Sequence, residues 1–233
     1  MNYLIWNGKN SKDINGLLIS ELPMIIKPKM RTEIVEVEGR DGNFIDNVGY
    51  SAYDKTVKIA LYNGHNIDEI IKYFSGSGKI TFSNEPEKYY NAEIIEQIDF
   101  ERLVKFKTAN VKFNTQPYKY LVGETAVEYE ITDTLNQITV TNLGLEISRP
   151  AITLTGSGIV EIKINGLGSF QVEIEDGYLT VDSMLEECYK DNIYTLKNRK
   201  MGGEFPTLNS GENVISWVGN LTKIKIHPMS RWL

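Results

Sequence analysis

"IVEIKINGLGSFQVEIEDGYLTV", residues 159–181, decides the fold class. Its apolar residues recur every second position, the period of a half-buried strand. Val160, Ile162 and Ile164 fall on one face, and Asn165-Gly166 then supplies a turn. Phe170-Gln-Val-Glu-Ile174 alternates again. Asp176-Gly177 predicts a tight hairpin, because both central positions of such a turn favour positive φ. Tyr178 to Val181 returns. Further strands are expected near Val214–Val218 and Lys223–Ile226, while Gly156-Ser157-Gly158 reads as another turn. Many short strands joined by Gly and Asn turns predict a sandwich or a partly closed barrel.

The first half is also largely of period two. Lys55–Tyr62 places Val57, Ile59 and Leu61 on one face, and Lys79–Phe82 is a short strand. From Leu103 to Asn114 the apolar positions are even (Val104, Phe106) and then odd (Val111, Phe113). A β-bulge at Thr108–Asn110 would account for that switch. One short amphipathic helix interrupts the pattern. Asn66 is its cap, with Glu69 at the capping-box position and Asp68 and Glu69 at the positive end of the dipole. Ile67, Ile70, Ile71 and Phe74 form its apolar stripe, and Ser75-Gly76-Ser77-Gly78 ends it.

The chain has 233 residues, enough for two domains each with a core. Composition shifts near Gln116-Pro117-Tyr118-Lys119-Tyr120, where the proline is expected to end the long strand. The expected division is therefore 1–120 and 121–233, with no internal repeat. The formal net charge is -6. Residues 1–119 hold 16 Lys+Arg and 16 Asp+Glu, so the excess lies in the second half. Neither half has a basic stripe, which argues against nucleic acid as a partner. The N-terminal apolar run is short for a signal peptide, and no stretch nears the roughly 20 apolar residues of a membrane helix. Folding in a cytoplasm without membrane insertion is expected.

Catalytic motifs fail their tests. Ser77-Gly78-Lys79 lacks the first glycine and the hydroxyl residue of a phosphate-binding loop; Tyr73 and Ile80 stand there. Gly166-Leu167-Gly168 has Gln171 where a dinucleotide fingerprint needs its third glycine. The two histidines, His65 and His227, and the single cysteine, Cys188, cannot supply a structural zinc set. Cys188 reads as a small half-buried side chain. Glu175-Asp176 and Glu186-Glu187 are adjacent in strands and so face opposite ways. No enzyme is expected, and no cofactor or metal.

One stretch breaks the alternation, "EVEGRDGNFIDNVGY" at residues 36–50. Gly39 and Gly42 supply positive φ and Arg40 and Asp41 can bond across the bend.

Taken in order, several segments resemble the distal tail protein (Dit) family of long-tailed bacteriophages. They begin with Ile5-Trp6-Asn7-Gly8, Ile14-Asn15-Gly16-Leu17, the prolines Pro23 and Pro28, and Val37-Glu38-Gly39-Arg40-Asp41-Gly42. Phe113-Asn114-Thr115-Gln116-Pro117-Tyr118 is similar to the end of the family's first domain. Asn142-Leu143-Gly144 with Arg149-Pro150-Ala151-Ile152 is similar to the start of its second. Gly203-Glu204-Phe205-Pro206, Gly211-Glu212-Asn213 and the closing Ile226–Leu233 continue the order, so the resemblance spans the chain.

The resemblance implies a mainly β protein with an N-terminal ring-forming domain and a C-terminal galectin-like β-sandwich that projects outward. It implies a homohexameric ring at the virion tail tip, or baseplate, assembled in the host cytoplasm. One face would meet the major tail tube protein and the other the tail-associated lysin or fibre protein, with the tape measure protein ending nearby. On this reading Gly39, Arg40, Asp41, Gly42, Phe44 and Tyr50 lie at the ring interface, Arg40 and Asp41 pairing within one subunit or between neighbours. The second domain lacks room for the carbohydrate-binding insertions of larger relatives. The alternative is a lectin-like adhesion module in which aromatic residues, Tyr178 and Trp217 foremost, stack on host sugars.

Overall fold

The computed structural model describes all residues except Val37, Arg40, Asp133, Thr134 and Leu167, and except the side chains of Phe100, Glu101 and Arg102. The chain is mainly β and forms two compact units, Met1–Val122 with Leu233, and Gly123–Trp232.

In the first unit the elements are β1 (Leu4–Trp6), β2 (Lys9–Asn10), β3 (Leu17–Glu21), β4 (Met30–Glu36), β5 (Asn43–Tyr50), β6 (Tyr53–Leu61), α1 (Ile67–Tyr73), β7 (Ser77–Phe82), β8 (Lys88–Glu93), α2 (Phe100–Phe106) and β9 (Thr108–Leu121). Seven strands of this unit lie in one antiparallel sheet in the order β2-β1-β7-β8-β9-β6-β3. Its inner face buries Leu4, Trp6, Val57, Ile59, Ile80, Phe82, Tyr90, Val111 and Phe113. Both helices add to that core: Ile70, Tyr73 and Phe74 from the α1 segment and Leu103 from α2.

Asn66 caps α1 as expected, its side-chain oxygen accepting from the amides of Asp68 (3.1 Å) and Glu69 (3.4 Å). The stripe differs from expectation in one residue, because Tyr73 turns inward and Ile71 faces out. The Tyr73 hydroxyl reaches the carbonyl of Lys9 (3.1 Å), which meets the polar end of an otherwise buried ring. The anticipated bulge at Thr108–Asn110 is absent. The β6–β9 register runs unbroken from Tyr53↔Thr115 to Ala60↔Thr108. The parity switch arises because residues up to Phe106 are helical, and Lys107 turns the chain at φ 61°. Pro117 does not end its strand. β9 continues to Leu121, and the β8–β9 register shifts between Tyr90 and Ala92, opposite the proline. A residue without an amide proton is tolerated at such an irregularity.

The second unit contains β10 (Val127–Glu130), β11 (Gln137–Asn142), β12 (Ala151–Ile164), β13 (Gly168–Ile174), β14 (Tyr178–Asp182), β15 (Glu187–Tyr189), β16 (Met201–Gly203), β17 (Gly211–His227) and the two-residue β18 (Arg231–Trp232). Two long antiparallel strands, β12 and β17, form its spine. The early half of β12 pairs with β14 and its late half with β13. The early half of β17 pairs with β11 and its late half with β10. Both halves bury side chains in one shared core, from Ile152, Leu154, Ile224 and Ile226 at one end to Ile162, Ile164, Phe170 and Ile215 at the other. The spine therefore bends over on itself and makes two layers from continuous strands.

The bend sits where the β12–β17 register shifts, between Thr155 and Gly156 and between Ser157 and Glu161. A Cβ on Gly156 would lie 2.1 Å from the Asn220 carbonyl oxygen, and one on Gly219 2.6 Å from that of Ile159. Only glycine lets the backbones approach so closely. Three expectations are corrected here. Gly156-Ser157-Gly158 is the bend within β12 rather than a turn. Val214–Val218 and Lys223–Ile226 are two parts of β17, whose inward positions switch from odd (Asn213, Ile215, Leu221) to even (Ile224, Ile226) across it. Asp176-Gly177 does not close a hairpin: β14 leaves β13 and pairs with β12 and β15, and of the two turn residues only Gly177 has positive φ. Asn165 (φ 52°) and Gly166 (φ 69°) do form the expected turn.

Candidate assembly surface

The strands β4 and β5 stand apart from the main sheet of the first unit as a two-stranded hairpin. All seven residues of β4 are exposed, and so are Asn43–Val48 of β5. Residues directly opposite in the ladder share a face. Ile34 opposite Ile45 makes one face apolar, and Val35 opposite Phe44 makes the other apolar as well. These four side chains remain 56%, 64%, 47% and 49% exposed. The preceding segment adds Met24, Ile25 and Ile26, also exposed. An isolated two-stranded hairpin is marginal in water, and apolar residues on both of its faces leave it without a polar, solvent-facing side. Completing the burial of each half-covered side chain is worth about 1 kcal/mol.

The hairpin also carries Glu33 directly opposite Asp46. Like charges in that position repel. Arg31 donates to the Val48 carbonyl (3.2 Å) beside the register shift at Arg31/Thr32.

The residues expected at a ring interface are divided along this arm. Gly39 (φ 81°), Asp41 and Gly42 (φ 77°) lie at its tip. Arg40 lies outside the described residues, as does Val37, and the expected Arg40–Asp41 pairing lies outside them too. Phe44 is one residue into β5. Tyr50 is at the root, about 20 Å further along the strand. It packs edge-to-face on Tyr118 at 6.1 Å, with the Lys27 ammonium 5.9 Å above its ring. The expected interface centres on the glycine-rich tip with Phe44 and Tyr50, whereas the exposed apolar surface also takes in Ile34, Val35, Ile45 and Met24–Ile26. Their signal was present, since apolar residues on both parities of a strand pair leave no solvent face.

The segment that precedes the arm is tied to the first unit by two side chains, the exposed Asn84 and the buried Lys55. Asn84 donates to the Pro23 carbonyl (3.0 Å) and the Lys55 ammonium to that of Met24 (3.3 Å). Lys55 is 2% exposed and sits against the rings of Tyr90, Tyr53 and Phe82, at 4.6, 5.3 and 5.8 Å. Burial pulls its pKa down to about 8, although Glu85 works in the other direction. Glu85 accepts from Lys119 (2.7 Å) and from the Tyr90 hydroxyl (2.6 Å). Burial alone would raise the Glu85 pKa, but these two bonds and the Lys119 charge bring it below the usual carboxylate value.

In the second unit, the Tyr178 hydroxyl donates to Asp191, and the Lys190 ammonium lies 5.4 Å over its ring. Trp217 packs against the core. Cys188 is fully buried, which pushes its thiol up to about 11. Among the described residues, no group of three His, Cys, Asp or Glu could hold a metal ion, and no helix is long and apolar enough to cross a membrane.

No family model matches this sequence, and no curated protein is similar to it. Solved structures are similar in fold. The SPP1 Dit (gp 19.1) protein, a paradigm of hub adsorption apparatus in phages infecting Gram-positive hosts, aligns over 100% of both chains with a TM-score of 0.70 and 17% identity. A chain of the phage P2 baseplate in its activated conformation aligns over 97% of both chains with a TM-score of 0.52 and 9% identity. The mainly β architecture described above is thus the fold of the SPP1 Dit protein.

Proposed function

We propose that this chain is a non-enzymatic structural hub of a phage tail tip. It assembles as a homohexameric ring through its first unit, between the major tail tube protein on one face and the tail-associated lysin or fibre protein on the other, with the tape measure protein ending nearby. The second unit is read as the galectin-like sandwich of such a hub. The observation that carries this reading is the β4–β5 arm. It exposes apolar side chains on both faces, buries none of β4, and follows a segment tied to the first unit by Asn84 and Lys55. The likeness in fold to a hub adsorption protein supports the same role.

A ring of identical subunits needs a heterologous contact that closes. An arm that reaches a neighbour fits that need, and the repulsion between Glu33 and Asp46 calls for a cation on the receiving surface. The near-neutral first half allows six copies to pack without strong mutual repulsion.

The test is the oligomeric state of the full chain by sedimentation velocity and negative-stain imaging. Wild type should form rings, alone or on mixing with tail partners. Ile34→Ser with Phe44→Ser should abolish them while the melting temperature of the monomer stays within a few degrees. Monomers alone at high concentration, with and without partners, would overturn the proposal, and so would intact rings in the double variant.

A further inference from the structure

Beyond the hub role, we infer that Asn63 in the first unit is a site of spontaneous covalent modification. Its side-chain amide becomes a carboxyl group through a cyclic imide closed by the Gly64 nitrogen, and the same change at Asn15 follows from it.

The chain contains four Asn-Gly pairs, at 7–8, 15–16, 63–64 and 165–166. Glycine after asparagine leaves the next backbone nitrogen unshielded, because no Cβ covers it. At Asn63 that nitrogen attacks Cγ. The new C–N bond closes the imide. The old C–N bond breaks and releases the side-chain nitrogen as ammonia, which takes up the proton that Gly64 loses. Water then opens the ring at either carbonyl. One product is aspartate. The other is isoaspartate, whose backbone runs through the side chain and is longer by a methylene.

The fold separates the four pairs. The Asn7 side chain is held at both ends, donating to the Ser77 carbonyl (3.2 Å) and accepting from the Lys79 amide (3.0 Å). The Asn165 side chain is held in the same way, donating to Asn213 Oδ1 (2.9 Å) and accepting from the Val214 amide (2.9 Å). Asn15 has one such bond, from its nitrogen to the Gly64 carbonyl (2.7 Å). The Asn63 side chain is exposed and makes no hydrogen bond with the described residues. A side-chain amide must leave its partners before its carbon can turn to the neighbouring nitrogen. Each bond to be broken slows closure about fivefold. Asn63 should therefore react about fivefold faster than Asn15 and about 25-fold faster than Asn7 and Asn165.

Asn63 and Asn15 are coupled through the turn between β6 and α1. The Tyr62 amide donates to the Gly16 carbonyl (3.0 Å) on one side of Asn63. On the other side the backbones nearly touch. A Cβ on Gly16 would lie 2.4 Å from His65 Cα, and one on Gly64 (φ 87°) 3.3 Å from Asn15 Nδ2. A methylene added between these two fixed points pushes Gly64 and His65 off the 15–16 turn. Asn15 then loses the Gly64 carbonyl and has no bond left to break.

The test incubates the full chain in warm, mildly alkaline buffer. Peptide mapping with electron-transfer fragmentation follows each pair and tells isoaspartate from aspartate. Conversion should appear first at Asn63 and at Asn15 after a lag, with Asn7 and Asn165 about 25-fold behind Asn63. In concentrated urea all four pairs should convert at similar rates. Asn63→Gln, whose longer side chain must close a larger ring, should hold Asn15 to its slow early rate. It should also keep the melting temperature that aged wild type loses. The inference falls if Asn7 or Asn165 converts as fast as Asn63 in the folded chain. It falls too if the four pairs differ in urea as they do in buffer, or if Asn15 converts equally fast in wild type and Asn63→Gln. Ring assembly is read separately by sedimentation, so failure here leaves the hub proposal untouched.

Discussion

Replacing Lys55 by methionine removes a buried ammonium and leaves a flexible apolar chain among Tyr53, Phe82 and Tyr90. The structure predicts how this changes stability with pH. The folded-state pKa of Lys55 is about 8, against an ordinary lysine value of 10.5. A base whose pKa is depressed by folding costs the native state its full penalty below pH 8, where both states are charged. The penalty shrinks as pH rises, because the folded protein sheds the proton first, and it vanishes above 10.5. Integrating between pH 7.5 and 9.5 gives a gain of about 2 kcal/mol for wild type. For a unit of this size that is roughly 8 °C in melting temperature.

The upper limit of that window matters. Burial raises the pKa values of Tyr53 and Tyr90, so these side chains favour folding only while the unfolded tyrosines keep their protons. Above about pH 10 they act against the lysine. Cys188 of the second unit works against this rise, since its unfolded thiol titrates near 9, so differential scanning calorimetry between pH 7.5 and 9.5 reads Lys55 as the difference between wild type and the Lys55 variants. Lys55→Met should be more stable than wild type at pH 7.5 and should lose the slope. Lys55→Arg, charged throughout, should also lose the slope but melt lower. A wild-type transition that does not rise with pH would refute the reasoning, as would an equal rise in Lys55→Met.

Other outcomes follow from single features. Asn66→Ala deprives two amides at the start of α1 of their acceptor and should cost about 1 kcal/mol in urea unfolding. Gly156→Ala forces a methyl against the Asn220 carbonyl and should cost about 2–3 kcal/mol, read in the same assay. Cys188 should resist a thiol reagent in the folded chain at pH 8 and react at once in denaturant, since it is both buried and protonated there. Glu33→Ala should strengthen the isolated hairpin by relieving its repulsion with Asp46, yet weaken ring assembly if a neighbour's cation meets that pair; sedimentation and hydrogen exchange separate the two effects.

The parts legible in the sequence are those with local causes. The strand faces of β6 and β12, the α1 cap and the Asn165-Gly166 turn all follow from residues within one or two turns of each other. What was misread depended on distant partners. The parity break after Phe106 looks the same whether it comes from a bulge or from a helix, and only the packing of Leu103 on the first core decides it. Gly156-Ser157-Gly158 has turn composition, but Asn220, more than 60 residues away, makes it a bend inside a strand. The arm was located by its glycines rather than its apolar faces, because exposure cannot be seen in a residue that looks like core. The Asn165–Asn213 bond was invisible for a related reason. Asn165 reads as a turn residue, and its bond to the buried Asn213 forms only once β12 and β17 are paired.

The spine of the second unit has a consequence for the order of synthesis. β17 pairs with β10, β11 and β12, so none of those strands has its full set of partners until His227 has left the ribosome. At a translation rate of about 5–20 residues per second, all of the first unit but Leu233 is free to fold for several seconds before β17 is complete. During that interval the edges of β10 to β14 are open to pairing with other nascent chains. Many copies made side by side in one crowded cell would thus place the second unit, rather than the first, at the greater risk of misassembly.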